Sequence, residues 1–367
     1  MENPLDLVER FDEITPQWLT NALRKGGVVK NATVESVDIV EQGLSAGFIS
    51  ELARLTPHYS EAPEDAPTSI IAKLPSLDPA TEALSTSFHL YERESRFYQE
   101  IGSEAGIQTL TCYYSAMDLA QTRHVLLVAD PGPVGLRGTS PECTVDEAKR
   151  ALRALAGMHA KWWNSDHLKS ISWLGSADSQ SLTLAYPRKF RASWDAVKER
   201  FEGRFPDGLE EVGDRYGPVL AQMMQRSGTD PVTLVHGDFR PENLYFDDEG
   251  DGVTAVTWQL AGRWHGASDV SYFIPYAFTT DDRRANEQML LRTYHDALVG
   301  YGVGDYSYDQ FLEHYRQGLL RSLALFVIGD ENIDLEVSEG ETWNTRRVDS
   351  LQAIMDWNCI ELLPERE

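Results

Sequence analysis

The sequence predicts an α+β fold in two parts, a small β-rich part followed by a larger helical part. Short runs rich in β-branched residues, such as Val34 to Val40 and Ser69 to Leu74, recur in the first third and are typical of strands. Longer stretches with helical spacing, such as Tyr308 to Ile328, follow later in the chain.

Composition argues against large anionic partners. The chain has 367 residues, with 58 acidic and 33 basic side chains and a formal net charge of −25. Such a surface repels nucleic acid and anionic membranes, so we expect a small-molecule substrate, no nucleic acid and no membrane. The three cysteines are widely spaced, and no apolar run approaches the ~20 residues of a membrane span. These features, with an N-terminus that lacks a basic segment, indicate a cytoplasmic protein and leave the oligomeric state open.

The segment around Ser45 admits two interpretations. It follows a predicted first helix that begins after Thr15, with Pro16 in its first turn. Residues 43–48 form either a glycine-rich turn whose backbone amides approach a phosphate, or a G-x-S-x-G nucleophile elbow with Ser45 as nucleophile. An elbow needs several βα units before it, and too few precede residue 45. We therefore prefer the phosphate-binding turn.

The most informative stretch is a polar loop between the predicted strands 232–235 and 244–246. Asp238 and Asn243 lie in this loop, and a third predicted strand, residues 253–259, completes a hairpin. In phosphoryl transfer an Asp can accept the proton of a substrate hydroxyl, and an Asn oxygen can hold a metal ion that bridges phosphates. An ordinary turn rich in Asp and Asn is the alternative interpretation.

The loop from His236 to Asn243 resembles the H-G-D-x-x-x-x-N catalytic loop of the aminoglycoside phosphotransferase and ecdysteroid kinase-like superfamily. The resemblance implies a bilobal protein-kinase-like fold with a small β-rich N-lobe, residues 1–129, and a large helical C-lobe, residues 130–367. It also implies that residues 234–243 are the catalytic loop and residues 244–259 the metal-site hairpin. Asp238 would then be the catalytic base and Asn243 a ligand of Mg²⁺, with ATP as the phosphoryl donor.

Two further segments carry the resemblance in the first part. Lys73 lies in a β-branched strand similar to the kinase strand whose lysine holds the phosphates. Glu94 begins an E-x-x-F/Y motif on the next predicted helix, Thr81 to Ile101. The resemblance implies an ion pair in which Glu94 positions Lys73, with Glu92 as the alternative if the register shifts. Without the resemblance, a single strand lysine is usually an exposed edge charge.

Nucleotide contacts are implied at the junction of the two parts. Residues 125–131 resemble the family's hinge segment, where backbone groups bond adenine, so Val128 and Asp130 would bind the nucleotide together with the Ser45 turn. The second part then begins with a helix capped by Thr144. His159, on the apolar stripe of that helix, is expected to be buried and hydrogen-bonded rather than catalytic.

One position departs from the family pattern. The family ends its third strand in Ile-Asp-Trp-Gln, whose Asp binds the metal, and this chain has Thr257 at that place. The threonine can offer a neutral oxygen to a metal ion but cannot supply a negative charge. Loss of such a ligand should cost several kcal/mol of transition-state stabilisation, hence about 10³-fold or more in rate.

Four residues are predicted to line the substrate cleft, namely Arg240, Gln259, Trp264 and His265. Trp264 and His265 stand where the family has small residues, so they either line an altered pocket or form an insertion that packs on a neighbouring element. Asp269 matches an Asp of the family's closing segment that holds the catalytic loop in place.

Three functions remain open from the sequence. The first is an ATP-dependent phosphotransferase that moves the γ-phosphate to a hydroxyl of a small metabolite or antibiotic. The second is a diverged member, with Thr257 in place of the metal-binding Asp, that acts as a non-phosphorylating enzyme or a pseudokinase-type binding protein in the same cleft. The third is a hydrolase built on Ser45. The first two require that the Lys–Glu pair and the Asp–Asn loop meet in one crevice.

Overall fold

A computed structural model describes residues 7–41, 49–61, 64–118, 123–132, 143–229, 231–247, 250–329 and 345–365. The chain divides into two compact units. The first comprises Met1–Glu104 and Thr109–Val134, and the second comprises Ala105–Gln108 and Gly135–Glu367. Among the described residues, no helix combines the length and the apolar character needed to cross a membrane. Ser45 lies outside the described residues, so both interpretations of its segment stay predictions.

The first unit is an antiparallel sheet with three helices. Its elements are α1 (Pro16–Lys25), β1 (Val34–Glu41), β2 (Ser50–Tyr59), β3 (Ile70–Pro75), α2 (Pro79–Phe88), α3 (Leu90–Arg96), β5 (Cys112–Asp118) and β6 (Arg123–Ala129), while the two-residue β4 (Gln108–Thr109) lies at the division between the units. The five longer strands pair in the order β1-β2-β3-β6-β5, and each neighbouring pair is antiparallel.

Helix α1 buries its apolar face in the core of the first unit. Thr15 caps the helix as predicted, since its Oγ1 accepts a hydrogen bond from the Trp18 amide at 3.1 Å. Trp18, Leu19 and Leu23 lie in one buried cluster with Leu55 of β2. Burial of each such side chain contributes about 1.5–3 kcal/mol, which anchors the N-terminal helix to the sheet.

The predicted single helix from Thr81 to Ile101 is wrong, because the chain breaks it at His89. This residue has φ 54° and ψ 38° in the left-handed region, which ends α2 and starts α3. A short π-helical turn at Phe97–Ile101 follows α3. The first helix also starts earlier than predicted, since the Asp78 carboxylate accepts from the Thr81 amide at 2.8 Å and caps α2.

The second unit is mainly helical. Its elements are α4 (Val145–Lys161), α5 (Asp166–Ser170), β7 (Gly175–Ser176), α6 (Gln180–Arg200), α7 (Leu209–Ser227), β8 (Thr233–Val235), β9 (Leu244–Phe246), β10 (Val253–Ala255), β11 (Gly262–Trp264), α8 (Ala267–Ala277), α9 (Thr280–Gly300), α10 (Tyr308–Gly329) and α11 (Gln352–Asp356). Strands β9 and β10 form an antiparallel hairpin, and β11 lies between β7 and β8. A strand-rich first part and a helical second part confirm the predicted α+β class.

Helix α4 begins as the sequence predicts. The Thr144 Oγ1 accepts from the Glu147 amide at 3.2 Å, and the Glu147 carboxylate accepts from the Thr144 amide at 2.9 Å. These two bonds form a complete capping box.

Candidate active site

In the first unit, Lys73 and Glu94 form a buried ion pair. Lys73 lies on β3 and is 7% exposed, and Glu94 on α3 is fully buried. The Lys73 Nζ lies 2.6 Å from the Glu94 Oε1. The predicted pair is therefore present. The alternative residue, Glu92, instead accepts from the Arg96 Nε at 2.9 Å.

The hinge residues Val128 and Asp130 lie at the end of β6. Val128 is opposite Ile71 of β3, so its backbone belongs to the sheet. The Asp130 carboxylate accepts hydrogen bonds from the Arg54 Nε at 2.6 Å and the Ser69 Oγ at 2.5 Å. Burial opposes its ionisation, but these bonds prevail and hold the pKa of Asp130 below its usual value. The Asp130 side chain thus fixes the end of the sheet.

In the second unit, a buried carboxylate shapes the loop that follows β8. Asp269 on α8 accepts from the His236 amide at 2.7 Å and from the Gly237 amide at 2.8 Å. Its pKa is lowered even though burial opposes this, because His159 and these amides stabilise the anion. Gly237 has φ 85°, and a Cβ there would overlap the Leu260 carbonyl. The loop therefore needs a glycine at position 237 and a buried anion beside it. The His-Gly-Asp motif supplies the glycine, and Asp269 supplies the anion.

His159 is buried and hydrogen-bonded, as predicted. Its Nδ1 lies 2.8 Å from the Tyr294 hydroxyl and its Nε2 lies 3.4 Å from the Asp269 carboxylate. The histidine thus supports the carboxylate that holds the loop.

The loop brings Asp238, Arg240 and Asn243 together. The Asn243 Nδ2 donates to the Asp238 carbonyl oxygen and to the Asp238 Oδ2, both at 2.8 Å. The Arg240 Nε lies 3.2 Å from the Asp238 Oδ1. Arg240 is 6% exposed and Asn243 is 2% exposed. Asp238 is therefore held on both carboxylate oxygens, and the Asn243 Oδ1 is the amide atom that could face a cation.

Thr257 lies beside this loop in an unusual backbone conformation. Strand β10 ends before the predicted limit at Gln259, and the next residue, Val256, donates its amide to the Asn243 carbonyl at 3.0 Å. The Val256 carbonyl accepts from the His236 Nε2 at 2.8 Å. Thr257 itself has φ 66° and ψ 68°, a left-handed conformation that costs a β-branched residue more than it costs Asp, Asn or Gly.

A comparison with protein families matches this arrangement. The model of the ecdysteroid kinase-like family covers residues 45–301, which include the buried ion pair, the loop and Thr257. The chain belongs to the ecdysteroid kinase-like family. A search of curated protein sequences finds no significant match.

Solved structures show that this ecdysteroid kinase-like chain has a protein-kinase-like fold. A candidate aminoglycoside phosphotransferase from Ralstonia eutropha is 14% identical and superposes with a TM-score of 0.55, covering 95% of this chain and 98% of the other. An ethanolamine kinase from Plasmodium vivax is 12% identical with a TM-score of 0.54, covering 93% and 88%. The amicoumacin kinase hAmiN, in complex with AMP-PNP, Ca²⁺ and Ami, is 15% identical with a TM-score of 0.50, covering 86% and 88%.

Of the predicted cleft residues in the ecdysteroid kinase-like chain, the structure brings only Arg240 into contact with Asp238 among the described residues. Trp264 pairs with Thr233, at the start of β8, whereas Asp238 follows the end of that strand. The His265 Nε2 lies 3.0 Å from the Thr229 carbonyl, and both Trp264 and His265 are buried. Gln259, 5% exposed, belongs to a short 3₁₀ turn after Thr257.

Three side chains near Asp238 were missed from the sequence. Glu242 is a neighbour of Arg240 and Asp238, and burial raises its pKa above the usual value. Tyr272 and Tyr276 of α8 stack with ring centres 5.9 Å apart, and the Tyr276 hydroxyl lies 3.4 Å from an Arg240 Nη1. The spacing of the tyrosines on one helix face, one turn apart, is a signal that the sequence offered. Glu242 occupies a variable position of the motif and gave none.

The described residues of the ecdysteroid kinase-like chain offer few charged ligands for a tightly held Mg²⁺. Asn243 and Thr257, the two positions predicted to bind the metal, have neutral side chains. Among the described residues no group of three or more His, Cys, Asp or Glu side chains could hold a metal ion. Mg²⁺ prefers carboxylates and phosphate oxygens, so these residues do not by themselves make a strong magnesium site.

Proposed function

We propose that the protein is an ATP-dependent small-molecule phosphotransferase with a charge-poor metal site. The observation that carries the proposal is the loop geometry, in which Asp238 is clasped by Asn243 and Arg240 while Asp269 holds the backbone. An ordinary polar turn needs none of these buried partners. Membership of a kinase-like family and a kinase-like fold support the same function.

The chemistry assigned to the second unit is proton transfer. The Asp238 carboxylate accepts the proton of the substrate hydroxyl as that oxygen bonds to the γ-phosphorus of ATP and the bond to the ADP oxygen breaks. Such base catalysis typically contributes about 10²- to 10⁴-fold. Arg240 fixes the orientation of the Asp238 carboxylate. Tyr272 and Tyr276, which line the same loop, are the residues that we assign to acceptor binding.

The chemistry assigned to the first unit is phosphate binding. Lys73 is the phosphate ligand, and Glu94 orients it through the 2.6 Å ion pair. Backbone groups of Val128 and Asp130, and of the turn at Ser45, are assigned to the nucleotide. ATP thus stays the proposed donor. Mg²⁺, which supplies charge neutralisation when bound, would meet Asn243 and Thr257 as its protein ligands, and we derive no step through it.

A thermal-unfolding titration with ATP and Mg²⁺, followed by ³¹P NMR with a panel of small alcohols and amino alcohols, tests the proposal. A rise in Tm with nucleotide, together with a new phosphate ester that Asp238→Asn abolishes, is the expected result. A rise in Tm with nucleotide but no ester from any alcohol would support nucleotide binding and contradict phosphoryl transfer. No change in Tm at millimolar ATP would overturn the proposal.

The alternative is a member of the same fold that no longer transfers phosphate. One observation favours it, namely the neutral Thr257 where a carboxylate would hold the metal. In that case Asp238 removes a proton from a bound metabolite without a nucleotide, or the site only binds. Absence of a Tm shift with ATP, combined with a Tm shift from a small metabolite that Asp238→Asn removes, is the result that selects this function.

A further inference from the structure

A second pocket lies within the helical unit, away from Asp238. It is enclosed by α6, α7, α10 and β11 and has an empty volume of about 350 Å³, its open mouth included. Tyr216, Met223 and Trp264 supply much of its apolar wall, and Gln317 and Arg321 supply polar atoms. None of the residues that contact Asp238 lines it. Trp264 pairs with Thr233, at the opposite end of β8 from the Asp238 loop.

Arg321 is an unpaired buried cation in this pocket. It is 9% exposed, and its Nε is sealed from solvent with no hydrogen-bond partner. No carboxylate in the described part of the chain pairs with it, although the protein carries a net charge of −25. Its guanidinium carbon lies 5.2 Å from the centre of the Trp264 ring. By contrast Arg283, which is 1% exposed, is paired with Glu287 at 2.7 Å and also with Asp356.

Gln317 adds a second unsatisfied group to the same wall. It precedes Arg321 by one helical turn on α10, so the two side chains share a face. The Gln317 Oε1 is also buried without a partner. A buried charge or polar group without a partner is strongly destabilising, and two such groups side by side call for a ligand, an ion or ordered water that satisfies them.

We propose that this pocket binds a small aromatic carboxylic acid that also carries a hydroxyl or N–H donor. The carboxylate of the ligand accepts hydrogen bonds from the Arg321 guanidinium, and the donor group of the ligand binds the Gln317 Oε1. The aromatic ring of the ligand packs against Trp264 and Tyr216. Guanidinium–carboxylate pairing is the strongest neutral-pH interaction that these residues offer. This inference does not depend on the proposed phosphotransferase function.

Three probes test the two polar contacts by calorimetric titration of the full-length chain. 4-Hydroxyphenylacetate has the carboxylate and the donor, phenylacetate lacks the donor, and 4-hydroxyphenethyl alcohol lacks the charge. We expect 4-hydroxyphenylacetate to bind most tightly and the neutral alcohol about 10- to 100-fold more weakly, the effect of one lost charged hydrogen bond. Equal affinity for all three probes, or no binding by any, would overturn the proposal.

A pair of variants on α10 separates a ligand site from a structural arginine. Arg321→Met should raise Tm in the absence of ligand, because it removes an uncompensated buried charge, and should weaken 4-hydroxyphenylacetate to the affinity of the alcohol. The matched control is Arg316→Met. Arg316 donates to the Trp357 and Asn358 carbonyls at 3.0 and 2.9 Å, so its loss should lower Tm and leave probe binding unchanged. A fall in Tm for Arg321→Met would show that the arginine is structural and contradict the proposal.

Discussion

Thr257 offers a metal ion only a neutral oxygen, and its backbone conformation is unfavourable for a β-branched residue. Its φ of 66° favours Asp, Asn or Gly over a β-branched residue, by about 1–2 kcal/mol. The Val256 hydrogen bonds to Asn243 and His236 hold it there regardless. The backbone at this position therefore suits an aspartate better than the threonine that occupies it.

Thr257→Asp should create phosphotransferase activity, or raise it by about 10³-fold, because it adds the carboxylate that a dication between phosphates needs. The measurement is Mg²⁺-dependent ATP turnover. Thr257→Asn is the matched control, since it eases the left-handed backbone equally without adding charge. If both variants behave like the parent protein, the missing ligand is not what limits the activity.

His124 should make the first unit sensitive to acid. It is fully buried, neither ring nitrogen has a partner, and it stacks on Tyr91 at 4.3 Å. Burial, with a smaller effect from Lys73, lowers its pKa from 6.5 to about 3. Between pH 3 and pH 6.5 the His124 imidazole is protonated in the unfolded chain but neutral in the folded protein. The free energy of unfolding that this neutral imidazole contributes is therefore complete above pH 6.5 and is lost as the pH falls towards 3.

His124→Phe should therefore lose about 2 kcal/mol less stability than the parent between about pH 7.5 and pH 5. Urea unfolding at both pH values measures the difference. His265, whose pKa burial lowers to about 4, keeps part of the acid sensitivity in the variant. His58→Phe is the control, because His58 is 53% exposed, and an equal effect from that change would refute the explanation.

At the level of single residues, the sequence predicted what local motifs encode. The caps at Thr15 and Thr144 depend on spacing along the chain, which the sequence displays directly, whereas the Lys73–Glu94 pair was predicted from the resemblance of its two segments to family motifs. The unpaired Arg321 could not be predicted, because its burial results from four elements that meet only in the folded chain.

Among the elements, the loop after β8 divides its work between two carboxylates. Asp269 receives the backbone amides of His236 and Gly237, and Asp238 is the residue that we propose as the catalytic base. Asp269→Asn should destabilise the fold by about 1–3 kcal/mol, because an amide nitrogen then faces a buried N–H donor. Asp238→Asn should leave stability within about 0.5 kcal/mol and lower the proposed activity by about 10²- to 10⁴-fold.

Chemical unfolding of the two Asp variants, alongside the ³¹P assay, measures both effects. The opposite assignment, with Asp238→Asn unfolding the protein and Asp269→Asn leaving it intact, would contradict the division of roles described here.

Helices α6 and α7 show where element prediction failed. From the sequence we predict helices only near Phe190 to Phe201 and near Val219 to Arg226. Pro187 and Pro218 fall outside those segments, and proline is unfavourable inside a helix. In the structure both prolines lie inside the helices, since tight packing between the two elements compensates for the lost hydrogen bonds. Helix ends that are inferred from local sequence rules are wrong where tertiary contacts determine them.

That packing gives a stability prediction. A Cβ on Gly213 of α7 would overlap the Trp194 ring of α6, so Gly213→Ala should cost about 1–3 kcal/mol. At Gly300, near the end of α9, no atom lies within 4 Å of such a Cβ, and Gly300→Ala should stabilise by about 0.4–1 kcal/mol. Thermal unfolding of both variants measures the contrast, and equal effects would show that the close approach in α6 and α7 is relaxed in solution.

At the scale of the whole molecule, the net charge of −25 should make stability depend on salt. Carboxylates that repel one another across the surface are screened when the Debye length falls from about 30 Å at 0.01 M to about 8 Å at 0.15 M ionic strength. We expect Tm to rise over that range at neutral pH. A Tm that falls with NaCl would show that attractive ion pairs outweigh the repulsion.

The anchoring of the loop by Asp269 has an evolutionary consequence. Because a buried residue outside the loop holds its backbone amides, replacements at Thr257 or Asp238 can alter the side-chain chemistry proposed there while the main chain keeps its course. Single substitutions at these positions are then a route by which such a scaffold can change its reactivity without a new fold.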